Sequence, residues 1–235
     1  MKKTIYIFNW IDQEILEQKI ISIKYIAQIL FFLIIPGILF SQGFDDTQLW
    51  HAEKFEKPIN DKTSLALEQD FRIGENMTNL VYFHADFGIK RIINKTFSFN
   101  LNFREVFEQK GPELTREHRP HGQIAWKREL GPLAISSRAR LEYRIRQDKD
   151  PVFRNRDMLS LKYGKGFTPL MLVPYVANEI FYDFKKSELN RNRFFIGVSI
   201  GSIKSFKPTI YFLIQTGIEN KEYSHIGILG FKLKF

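Results

Sequence analysis

Cysteine is absent from the 235 residues. That excludes a disulfide framework, thiolate metal sites and thiolate nucleophiles, and leaves the compartment open. Long apolar runs are scarce too: the hydrophobic fraction is an ordinary 44%, with one uninterrupted stretch at residues 26–40, so the chain is not a polytopic helical membrane protein. No segment beyond residue 41 carries a convincing 3.6-residue apolar period, which argues against helices there. Clustered basic helices and nucleic-acid motifs are also missing, so the net charge of +9 does not point to DNA or RNA. No shift of composition after residue 45 marks a second domain.

What the chain has is alternation. In residues 136–147, SSRARLEYRIRQ, the even positions are Arg138, Arg140, Glu142, Arg144 and Arg146, against Ala139, Leu141, Tyr143 and Ile145. The apolar side continues back to Leu133 and Ile135. On a β-strand this puts all five charges on one face; a helix would scatter them round its circumference. Such a strand is either the edge of a soluble sandwich or a wall with lipid on one side and a polar lumen on the other. The same rule holds for Leu65, Leu67, Phe71 and Ile73, for Val81, Phe83, Ala85, Phe87 and Ile89, and for Phe97, Phe99, Leu101, Phe103 and Phe107. Aromatics make up 15%, and Phe alone occurs 23 times, high for an ordinary soluble protein.

The N-terminus predicts export. Residues 26–40, IAQILFFLIIPGILF, follow Lys24 and precede Ser41-Gln42-Gly43, a length suited to a secretory apolar region rather than a spanning helix of ~20 residues. Pro36-Gly37 breaks the helix, Ser41 is a small residue at the cleavage position, and Gln42 is the expected first mature residue. The region before Lys24 is long and carries Asp12, Glu14 and Glu17 beside Lys2, Lys3 and Lys19. Residues 1–41 are therefore expected to be a signal peptide, 42–62 a lead-in with Trp50 as first strand or packing peg, and 63–235 the folded barrel. Removing four Lys and three acids takes the charge from +9 to about +8.

Ten or eleven segments of roughly 10 residues follow one another in the mature chain. Short connections at INKT, ELGP, GKGFTP and SIKSFKP alternate with longer polar ones at QKGPELTREHRP, QDKDPVFRN, DFKKSELNRN and ENKEYS. That sorting is the mark of a transmembrane barrel with short periplasmic turns and longer outer loops. Phe231, Leu233 and Phe235 alternate with Lys232 and Lys234, an aromatic closing strand of the kind that barrel-insertion machinery reads. The expectation is an all-β, antiparallel, up-and-down transmembrane β-barrel of 10–12 strands in the outer membrane of a Gram-negative bacterium. Parity favours ten strands from Thr63 to Phe235, leaving the Trp50 segment as an awkward eleventh.

Several of these residues also carry a resemblance. Trp50, the Glu68 to Arg72 stretch, Ser137-Arg138-Ala139-Arg140-Leu141-Glu142-Tyr143-Arg144, Arg154-Asn155-Arg156, Tyr175 with Asn178-Glu179-Ile180-Phe181, and Asn190-Arg191-Asn192-Arg193 before Gly197 are similar to an uncharacterised family of outer-membrane barrels, catalogued as domain of unknown function 2490. The similarity covers residues 47–235, and the Arg-x-Arg-x-Glu-x-Arg strand is its most specific part. It implies a location and an architecture, and brings no activity with it.

Chemistry is sparse. His118 and His121 stand three apart without a third ligand, so no metal is expected, and no cofactor. Ser224 and His225 are adjacent and so face opposite sides of a strand, unable to pair as nucleophile and base. The His-x-Ser-Asn-Gly type signature of outer-membrane lipases and acyltransferases does not occur. Glu68 and Asp70 share a face beside Arg72 and read as ion-pair partners rather than an acid–base pair. The expected lumen ladder is Glu68, Asp70, Arg72, Arg104, Arg138, Arg140, Glu142, Arg144, Arg146, Glu179 and Arg193. It either interlocks as a plug, the favoured reading, or lines a narrow path for a small anionic solute. The expected function is a non-enzymatic outer-membrane barrel in contact with outer-membrane lipid. The alternatives are a lipid-active outer-membrane enzyme using His84 or His118, or a soluble periplasmic lipocalin-like carrier.

Overall fold

Wherever hydropathy alternates strictly, the backbone is strand. The computed structural model describes residues 43–235 apart from 148, 165, 167, 168, 202, 204, 220 and 221. The expected signal peptide, residues 1–41, lies outside the described residues. Eleven strands follow in chain order: β1 (Asp46–Asn60), β2 (Thr63–Gly74), β3 (Asn79–Ile92), β4 (Phe97–Lys110), β5 (Glu113–Leu130), β6 (Leu133–Arg146), β7 (Lys149–Tyr163), β8 (Leu172–Asp183), β9 (Glu188–Ile200), β10 (Lys207–Glu219) and β11 (Glu222–Lys234). Each pairs antiparallel with its sequence neighbour, and β1 pairs with β11 to close the barrel. Closure satisfies the backbone groups that an open edge would expose.

The seam departs from the even, wholly antiparallel expectation. Eleven consecutive antiparallel strands leave the first and last running the same way, so β1 and β11 can only meet in parallel, from Asp46↔Ile226 to Lys54↔Lys234. The Trp50 segment is therefore strand β1, and the barrel starts at Asp46 rather than at residue 63. Hydropathy hid it because its outer face carries His51 and Glu53 (3.2 Å apart) among Leu49 and Phe55, while its inner face holds Trp50 and Ala52.

Three of the expected long polar loops are strand. The stretch QKGPELTREHRP runs through the end of β4 and the start of β5, joined by a turn at Gly111-Pro112. DKDPVFRN lies mostly in β7, and DFKKSELNRN spans the end of β8 and the start of β9. Here both faces of the wall are polar, so no alternation of hydropathy announces a strand. On β5, Glu117, Arg119 and His121 point inward and are buried, while Arg116 and His118 point outward to Glu105 of β4. Pro120 has no N–H to donate, and the β5–β6 ladder is interrupted opposite it, between His118↔Ile145 and His121↔Glu142. Gly111 and Gly131, each followed by proline, take φ of +60° and +59°, the left-handed backbone that two-residue hairpins demand.

Inside and outside differ in kind. The outer wall exposes Leu67, Phe87, Phe99, Leu101, Phe103, Ile124, Leu141, Phe153, Leu159 and Phe194, a broad apolar belt. The interior is mostly charged, with one apolar wedge near the seam: Trp50, Leu213 and Ile228, packed by Phe195, Tyr211 and Ile226. Gly230 makes room for this wedge, since a Cβ there would lie 2.0 Å from Tyr211.

Candidate functional site

Every residue of the expected ladder faces the interior, because strand phase carries it there. The pairings are partly different from those expected. Arg138 on β6 bonds Glu179 on β8, over the intervening β7. Asp70 is taken by Arg72 on its own strand, 2.7 Å away. Glu68 is held by Lys232 at 2.8 Å and Arg104 at 3.7 Å. Arg144 forks onto Glu117, Nε at 2.8 Å and Nη2 at 2.7 Å. Arg140 donates to Gln123 at 3.0 and 2.8 Å and approaches Glu142 at 3.7 Å. Arg146 forms no ion pair among the described residues, and its Nε is buried without a partner.

Strand by strand, these contacts stack in three layers. Near the rim where β11 ends, a cavity of 630 Å³ is lined by Lys162, Lys207, Lys232 and Lys234 with hydroxyls from Ser136, Ser160, Ser199 and Thr209. Next comes a septum. Glu142 and Glu179, 0% and 1% exposed, tie together Arg154 (2.5 Å), Arg156 (2.9 Å to each) and Arg193 (3.6 Å). Asp86 joins the same layer, holding Arg104 at 2.7 Å and His121 at 2.8 Å. Such charges are tolerable out of water only because each carboxylate meets several donors.

Beyond the septum, toward the rim where β1 begins, lies a cavity of 80 Å³ lined by guanidiniums. Arg72, Arg104, Arg119 and Arg144 enter it from β2, β4, β5 and β6; Arg154 and Arg156 come from β7, Arg191 and Arg193 from β9. The rest of the lining is Tyr82, Phe181 and Glu108. Aromatic faces take some of the charge. Arg72 sits 3.6 Å over Trp50 and 4.1 Å over Tyr82, and Arg156, Arg193 and Arg191 lie 4.6, 4.8 and 5.6 Å from Phe181.

Sequence reasoning missed Asp86, Glu117, Arg119, His121, Arg154, Arg156 and Arg191. Asp86 alternates in step with His84 and Tyr82, so strand phase alone could have placed it inside. Glu117, Arg119 and Arg154 sat in stretches read as loops, where no phase was assigned.

The histidines have separate partners. His84, 1% exposed, lies between Glu68 and Asp70, 3.8 Å from each and beyond hydrogen-bond reach. His118 is on the outer wall, bonded to Glu105 at 2.7 Å. His225 meets Thr216 at 3.2 Å, while Ser224, one residue away, faces the other side. No group of three metal-ligating side chains occurs among the described residues.

Solved barrels are similar at low identity. The NanC porin shares 11% of its residues, over 77% of this chain and 95% of its own, with a TM-score of 0.48. LpxR from Salmonella typhimurium shares 9%, over 74% and 83%, with a TM-score of 0.47. An anion-selective porin from Comamonas acidovorans shares 12%, over 75% and 54%, with a TM-score of 0.38. None of these likenesses assigns an activity to this chain. No curated protein matches it. Residues 47–222 match the family described as Protein of unknown function (DUF2490).

Proposed function

Because the chain belongs to the DUF2490 family, whose description offers no activity to inherit, we propose its role from the barrel's own chemistry. It is a non-enzymatic outer-membrane protein whose Arg/Glu ladder fills the lumen and whose narrow passage prefers small anions. The single observation that carries this reading is the opposition of the two faces of one wall. Outside stand Leu141, Phe103, Phe153 and their neighbours; inside stand Arg140, Arg104 and Arg154. Strands of 12 to 18 residues exceed the ~9–11 needed to cross a bilayer. The surplus lets both faces turn polar near the β1 rim, where Glu105 meets Arg116 and His118 on the outer wall.

The buried septum argues for a plug over a wide bore, and the surplus arginine sets the sign of what passes. Reconstitution into planar bilayers under a salt gradient tests this. The expected result is a small conductance with an anion-selective reversal potential. Cation selectivity, or complete absence of current from heat-modifiable folded protein, overturns the passage. Retention in the soluble periplasmic fraction without detergent overturns the membrane assignment itself.

A further inference from the structure

We infer that the guanidinium cavity beyond the septum is a binding site for a divalent oxyanion, phosphate or sulfate. The inference rests on the proposed anion-handling interior only for the sign of the charge; the site needs no passage through the septum.

Three observations carry it. The first is charge. Eight guanidiniums line the cavity and draw on six carboxylates, Glu68, Asp70, Asp86, Glu117, Glu142 and Glu179. Three of those six also serve Lys232, Arg140 and Arg138. Glu108, the one acid on the cavity wall, is taken up by Lys110 at 3.3 Å. At least two positive charges are left facing one another in a confined space, which is costly unless an anion sits between them.

The second is Arg191. Its guanidinium has no side-chain hydrogen bond and no carboxylate within ion-pair distance among the described residues; it lies 5.6 Å from the Phe181 ring. The other seven arginines of the cavity each reach an acid, as Arg144 does Glu117 through a two-pronged fork. Arg191 is held in the wall with its donors unspent. The third is size and chemistry. At 80 Å³ the cavity holds about three waters, at roughly 30 Å³ for each, the scale of a bare tetrahedral oxyanion and too small for a sugar. Planar guanidinium forks recognise oxygen pairs bidentately, which a chloride ion cannot exploit.

Calorimetric titration of sodium sulfate into the folded barrel in neutral detergent, at ionic strength fixed with chloride, is expected to show saturable binding that inorganic phosphate displaces. Arg191→Gln removes the surplus guanidinium without orphaning a carboxylate, so the variant folds and binds sulfate at least tenfold more weakly. Arg128→Gln, exposed on β5 near the opposite rim, leaves the affinity unchanged. A second readout separates binding from mere structure. With sulfate absent, Arg191→Gln raises the temperature at which the heat-modifiable band is lost, because it relieves repulsion, whereas loss of a structural arginine would lower it. No saturable binding by the unaltered protein, or equal affinity in Arg191→Gln, overturns the site. Sulfate binding without any bilayer current upholds the site while the proposed passage fails; anion-selective current without sulfate binding does the reverse.

Discussion

Replacing Glu142 by Gln tests whether the septum is a plug held by charge. The carboxylate is 0% exposed and accepts from Arg154 Nε and Nη2 at 2.9 and 2.5 Å and from Arg156 Nη1 at 2.9 Å, with Arg140 at 3.7 Å. Gln keeps the shape and removes the charge. Arg156 retains Glu179, but Arg154 and Arg140 lose their carboxylate. Stranding buried charge in this way costs about 3–5 kcal/mol. For a domain of this size each kcal/mol moves the midpoint by about 2–4 °C, so the shift should be about 6–20 °C downward. The assay is the loss of the fast-migrating folded band on heating, at a fixed incubation time because barrel unfolding is governed by rate. Adding Arg154→Met to Glu142→Gln should recover part of the loss, with a coupling of about 0.5–3 kcal/mol. A shift of about 2 °C or less, as for a surface residue, would mean that water solvates the guanidiniums and the lumen is open at that level, refuting the plug.

Other outcomes follow from the same contacts. Leu141→Arg, on the outer face next to Arg140, should cost about 2–4 kcal/mol of stability in lipid vesicles and far less in detergent; equal effects in both would argue that the belt does not meet lipid. Gly230→Ala places a methyl against the Tyr211 ring and should destabilise by about 1–3 kcal/mol, read as a lower heat-modification midpoint. Trp50→Ala empties the apolar wedge of a residue packed on Leu213 and Ile228, with an expected loss of about 3–5 kcal/mol in the same assay. Deleting residues 44–60 removes β1 and bares the edges of β2 and β11. No folded band should then form, whereas a dispensable peg would leave one.

Much of the wall was legible because one physical rule writes it. A strand with different solvents on its two faces must alternate, and β2, β3, β4 and β6 do so over most of their length. That rule gave β6 its phase and put Arg138, Arg140, Glu142 and Arg144 inside. It failed where the two faces see similar surroundings. Gly111-Pro112 carries the same hairpin signal as Gly131-Pro132, yet the polar flanks of the first turned a two-residue turn and two strand ends into an apparent loop. In β1 the outward His51 and Glu53 had the same effect.

Sequence alone determined that the chain builds period-two walls with arginine on one side and phenylalanine on the other, since that follows from local residue order. Only the closed barrel decided who meets whom. Glu179 reaches Arg138 41 residues away and Lys232 reaches Glu68 164 residues away, contacts that depend on register and strand number around a ring. The parallel seam, the septum and the lone Arg191 belong to that second level. They arise from the count of strands and the curvature that brings interior faces together, and no local pattern encodes either.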